Sequence, residues 1–331
     1  MRHVLIAATA ITLAVHAQPQ HTAVLNQQQI QQLEVALNPG DVASLTLLGK
    51  NYAIFILGIT SLGDFDRVAA IDPGKAADSF TSHARDELAR SPFARVVAEG
   101  GQALWQYSTE VEVYQTLHSS STKIDTTAAK TLGVQSLDHA ISMDPNNETW
   151  RTYRIPILIF RSNFANFMPL TASGAYSQVK QDMSVLTGLN RNSMLPNAAK
   201  LAVKAGEWED GRSYAQELLK SSTDPNNWNH GNAIYFGNIV LGQVALRQGS
   251  IDDAKAYLLA AGKTPGSPQL NSFGPNMSLA KDLFEAGEHQ ALLTFFDECH
   301  AFWKMDRGAL QRWADQVNSN RMPDFGANLL Y

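Results

Sequence analysis

The sequence predicts an all-α fold made of antiparallel helix hairpins packed side by side. Three observations carry that expectation. Three segments share one plan: an apolar helical stretch, a turn with a glycine, and a second helical stretch. Their turns are Ala205-Gly206-Glu207-Trp208, Gln248-Gly249-Ser250-Ile251 and Ala286-Gly287-Glu288-His289, with glycines 43 and 38 residues apart. Elsewhere, apolar residues recur at helical spacing. No stretch rich in Val, Ile and Thr shows the strict alternation of a half-buried strand.

Taken in chain order, the first element is an export signal. Met1-Arg2-His3 is positively charged, and an apolar run of 12 residues follows from Val4 to Val15. Such a run rises about 18 Å as a helix, short of a hydrocarbon core of about 30 Å. With Val15-His16-Ala17 at the cleavage positions, residues 1–17 are expected to be a cleaved signal peptide. The mature chain would start near Gln18 and be periplasmic or secreted, with no membrane span. Its single cysteine, Cys299, excludes an internal disulfide.

A helical N-terminal region is expected over residues 18–125. Ile30, Leu33 and Leu37 share one face of a first helix, and Leu45, Leu48, Tyr52, Phe55 and Ile59 share one face of a second. Gly63-Asp64-Phe65 reads as another turn. Ser91-Pro92 reads as a cap and first-turn proline for a helix through about Tyr107. The Ser- and Thr-rich residues 118–127 read as a loop. Residues 126–331 are expected to hold the repeats and a capping tail. Asp144-Pro145-Asn146-Asn147 recurs as Asp224-Pro225-Asn226-Asn227, and each reads as a helix stop followed by a start. Gly262 to Asn276, with Pro265, Pro268 and Pro275, reads as a long loop. The tail Pro323–Tyr331 carries Phe325, Leu329, Leu330 and Tyr331, which could dock on the last helix pair.

The middle repeat has Leu241-Gly242 in its first helix, Gly249 at the turn, and Ala254 and Ala261 in its second helix. Antiparallel helices approach closely only where side chains are small. In this pattern the chain resembles the tetratricopeptide repeat (TPR) family. The third copy has Leu279-Ala280 for the pair, a large Phe296, and Cys299 at the second small position. The first has Ala198-Ala199 and Leu218. Gly133, Leu137, Ala140 and Pro145 echo a second helix upstream. The resemblance implies a TPR-like α-solenoid with irregular, longer-than-usual repeats. It places Cys299 in a buried packing contact.

The chemistry is sparse. A net charge of −5 leaves no basic excess for a nucleic-acid partner. There is no Gly-x-Ser-x-Gly elbow and no His-Glu-x-x-His pair, so no catalytic, cofactor or metal residue is expected. Asp324-Phe325-Gly326 spells a kinase tripeptide without any other kinase part. Asp252 and Asp253 suit the start of a helix, where the dipole favours carboxylates.

What remains is a surface. The resemblance implies a concave groove lined by first-helix residues. By position these are Lys200, Val203 and Lys204, then Phe236, Ile239, Gln243, Leu246 and Arg247, then Met277, Lys281, Phe284 and Glu285. The leading expectation is an exported scaffold that binds a protein or peptide without catalysis. A glycan is the second candidate ligand, with Trp105, Tyr107, Trp150, Tyr153 and Trp228 as aromatic platforms. A hydrolase within residues 22–125 is the third.

Overall fold

The computed structural model describes residues 81–118, 125–164, 168–221, 224–227 and 229–330, apart from 83 and 87. The signal segment, the helices expected over 26–37 and 42–60, and the Gly63 turn lie outside the described residues. Every regular element among the described residues is helical. No helix among them is long and apolar enough to cross a membrane. The chain divides into two compact units between Arg154 and Ile155.

In the first unit, α1 (Ala94–His118) and α2 (Thr127–Met143) form the main contact. The helix expected from Ser91 starts later, because the Ser91 hydroxyl accepts the Phe93 N–H at 3.2 Å in a separate turn. It also outruns the expected end at Tyr107, since no Gly or Pro interrupts residues 108–118. The two helices touch backbone to backbone. A Cβ on Gly101 would lie 2.7 Å from the Gly133 carbonyl oxygen, and one on Gly133 equally close to that of Gly101. Close by, the buried Lys130 ammonium meets the Glu112 carboxylate at 2.5 Å, and the Thr126 hydroxyl donates to the same oxygen.

The repeated tetrapeptide makes the same turn twice. The Asn147 N–H donates to the Asp144 carbonyl, and its side chain accepts the Thr149 N–H. Likewise the Asn227 N–H donates to the Asp224 carbonyl, and its side chain accepts the Asn229 N–H. Asn is suited to this bond because its carbonyl reaches the backbone two residues on.

The second unit takes up α3 (Glu148–Asn163) from Ile155 onward. It continues through α4 (Ala172–Val185), α5 (Gly188–Ala205) and α6 (Trp208–Ser221). Then come α7 (His230–Arg247), α8 (Ile251–Gly262) and a short α9 (Pro268–Phe273). α10 (Ser278–Glu285), α11 (His289–Cys299), α12 (Ala309–Asn318) and a 3-10 turn, Gly326–Leu329, complete it.

The three expected turn glycines all join antiparallel helices, with φ of +85°, +81° and +85° at Gly206, Gly249 and Gly287. Each turn is closed by the same two backbone bonds. Gly206 N–H reaches Val203 and Glu207 N–H reaches Ala202; Gly249 reaches Leu246 and Ser250 reaches Ala245; Gly287 reaches Phe284 and Glu288 reaches Leu283. This paired closure needs a residue in the left-handed region, which glycine enters without strain.

Each hairpin packs on the next. α5 and α6 pack on α7, and α7 and α8 pack on α10, with α8 also against α11. Gly242 leaves the space that Leu279 of the following hairpin fills, as a Cβ there would lie 2.3 Å from its Cδ2. Ala254, Ala261 and Cys299 are fully buried, and burial pushes the Cys299 thiol up. Phe236 and Tyr257 pack against both apolar clusters of the unit and so join them.

Residues 262–276 depart from the expected loop. Ser267 accepts the Leu270 N–H at 3.0 Å and Pro268 opens a short helix, so the prolines start an element as well as breaking one. The segment is pinned by Thr264 Oγ1, which donates to Gly231 O at 2.7 Å, and by Tyr235 OH, which donates to Asn276 O at 2.7 Å.

The tail docks through Phe325, whose ring lies 5.1 Å from that of Trp313, while Leu329 stays exposed. The kinase-like tripeptide thus serves packing. Asn328 does the rest: its side-chain amide donates to Phe273 O and Pro275 O, and its carbonyl accepts the Met277 N–H at 2.7 Å. Asn328→Ala should cost about 2 kcal/mol by stranding two carbonyls. Thermal melting reads the loss, and hydrogen exchange should quicken over 270–277. Unchanged exchange there would show that the tail does not hold that segment.

Candidate functional site

The turns bring the C-terminal ends of α5, α7 and α10 into one register. Counted back from each turn glycine, Lys200, Gln243 and Lys281 share one position, and Lys204, Arg247 and Glu285 share another. A third position holds Leu201, Val244 and Asp282. Leu201 and Val244 are buried aliphatic residues, whereas α10 places a carboxylate there.

An open cleft of about 290 Å³ lies between α6, α7 and α10, lined by Trp208, Gln243, Leu246, Arg247 and Asp282. The Arg247 guanidinium stands 5.7 Å from the centre of the Trp208 ring. Gln243 Nε2 donates to Asp282 Oδ2 across α7 and α10 at 3.4 Å. Burial raises the Asp282 carboxyl above the ordinary carboxylate range, and the bond from Gln243 offsets it in part. Lys281 turns to Glu285 at 2.6 Å on the outer side of α10.

Comparison of the chain with models of known families, with curated proteins and with solved structures gives no match. The site is therefore read from its own geometry.

Of the expected lining residues, the cleft brings together Gln243, Leu246 and Arg247. Lys200 sits apart, its ammonium 4.3 Å from the centre of the Phe236 ring, where burial pushes it down to about 8. Lys204 is tied to the end of α3, donating to Ser162 O at 2.8 Å and Asn163 Oδ1 at 2.6 Å. Phe284 stacks on His289 at 4.4 Å. Ile239 and Met277 line no groove: both are fully buried, as each faces the adjoining hairpin and not the open side. Val203 is buried as well.

Two lining residues escaped the positional transfer. Trp208 belongs to a second helix, and Asp282 stands at a register position that the other copies fill with core aliphatics. The second signal was readable, since a carboxylate aligned with Leu201 and Val244 breaks the pattern. The aromatic platforms fare differently. Trp105 and Trp150 are buried and offer no open ring face, Tyr153 is partly buried, and the side chains of Tyr107 and Trp228 lie outside those described. Among the described residues no cluster of His, Cys, Asp and Glu could hold a metal ion.

Proposed function

We propose that the chain is an exported TPR-like α-solenoid whose second unit binds an extended protein or peptide segment in the cleft between α6, α7 and α10. The cleft lined by Trp208, Gln243, Leu246, Arg247 and Asp282 carries this reading. It combines an apolar wall with hydrogen-bonding and charged groups, as a peptide groove requires. Three of its five residues are those that the family resemblance assigns to a groove. Stacking of each hairpin on the next supports the solenoid, because a repeat array holds together by neighbour contacts. The mechanism is equilibrium binding on a preformed surface, with no cofactor.

Selection of displayed peptides on the purified full-length chain tests it. Enriched peptides should bind wild type and lose about tenfold or more on Trp208→Ala, which removes apolar lining of the cleft, equivalent to roughly 1.4 kcal/mol. Folding of the variant is checked by circular dichroism. Failure to enrich any peptide, or equal affinity for the variant, would overturn the proposal.

A further inference from the structure

We propose that the cleft takes the side chain of an arginine or lysine from the bound segment, with its cation on Asp282. This rests on the peptide-binding reading above. Asp282 stands where the two preceding hairpins put buried Leu201 and Val244, so packing alone calls for an aliphatic side chain. The carboxylate found there is half-buried and lies in no ion pair among the described residues. Its hydrogen bond from Gln243 is long, at 3.4 Å. A carboxylate so placed costs stability unless something pairs with it.

The surroundings account for the charges within reach. Lys281 of the same helix is engaged with Glu285 at 2.6 Å. Arg247 of α7 is held over the Trp208 ring at the rim. Neither forms an ion pair with Asp282; the neighbouring Lys281 charge only partly offsets the effect of burial on it. What the cleft offers instead is apolar lining from Leu246 and Trp208 together with the polar Gln243 and Asp282. Lysine and arginine have that build, an apolar stem and a charged head. A free anion would meet repulsion from Asp282, and a purely apolar side chain would leave that carboxylate desolvated without a partner.

The test uses fluorescent peptide pools of common design, with the central residue fixed as arginine, lysine, norleucine or glutamate. Polarisation titrations compare the full-length chain with Asp282→Asn, which keeps shape and can keep the bond to Gln243. The arginine and lysine pools should bind wild type about tenfold more tightly than the norleucine pool. Asp282→Asn should erase that preference, bringing the arginine, lysine and norleucine pools to about the same affinity. Equal binding of the arginine and norleucine pools overturns the cation assignment alone, as does a preference that survives in Asp282→Asn or a best-binding glutamate pool. Binding of no pool by wild type overturns the peptide reading itself, and this assignment with it.

Discussion

Gly231→Ala is expected to destabilise the second unit by about 3 kcal/mol, at the upper end for an added methyl in a packed site. Gly231 lies in the first turn of α7, and a Cβ there would stand 1.7 Å from the Gly266 carbonyl oxygen. The obstacle is backbone, so no side chain can turn aside. Gly266 cannot retreat either, because its own α-carbon is backed by Phe302, whose Cβ would lie 2.6 Å from any added methyl. The variant must therefore push residues 262–276 away from α7, breaking the bond from Thr264 to the Gly231 carbonyl. Urea denaturation should show the loss, and hydrogen exchange should show deprotection centred on 264–277. Gly249→Ala is the comparison. Its φ of +81° brings strain, yet nothing lies within 4 Å of an added Cβ. It should cost only about 1 kcal/mol, the strain of the left-handed region. Equal losses for the two variants would show that the contact with Gly266 carries no weight.

This contrast also explains what could be read from the sequence. Gly206, Gly249 and Gly287 were legible because each ends a periodic apolar stretch, and ending a helix is a local act decided by a few residues. The buried small residues Ala254, Ala261 and Cys299 were legible for a related reason, since their spacing from the glycine fixes the face they occupy. Gly231 and Asn328 were not. Their roles depend on segments about 35 and 53 residues away in the chain, Gly266 and Pro275, and nothing local announces that meeting. The candidate site divides along the same line. Gln243, Leu246 and Arg247 follow from the first-helix positions to which the family resemblance assigns a groove. Ile239 and Met277 have an equally suitable register, but the adjoining hairpin covers them, and coverage is a tertiary fact. Trp208 reaches the cleft only because α6 packs against α7. The short α9 was hidden by its prolines, which mark helix starts as readily as loops.

Lys200→Met is expected to stabilise the protein at pH 7, by about 1 kcal/mol. Burial lowers the ammonium from 10.5 to about 8, and no carboxylate among the described residues forms an ion pair with it. Because the side chain is only half-buried, water screens part of that effect, and the penalty on the charged form is about 2 kcal/mol. Attraction to the Phe236 ring at 4.3 Å returns about 1 kcal/mol of that. Methionine keeps an unbranched stem against the ring without the charge. The pH dependence fixes the sign. Below about 8 both folded and unfolded chains hold the proton, so the folded state bears the full cost. Between about 8 and 10.5 only the unfolded chain still holds it, so wild-type stability rises with pH through that window. Above 10.5 neither form is charged and the gain is complete. Urea midpoints at pH 7 and pH 10 should therefore converge for Lys200→Met and diverge for wild type. A methionine variant less stable than wild type at pH 7 would mean that the ring and local water compensate the charge fully. The expected outcome carries a functional corollary. A cation kept at a cost, at the helix position that Gln243 holds in the next hairpin, is not explained by folding alone. If peptides that bind wild type bind Lys200→Met more weakly while the variant is more stable, that cost belongs to recognition.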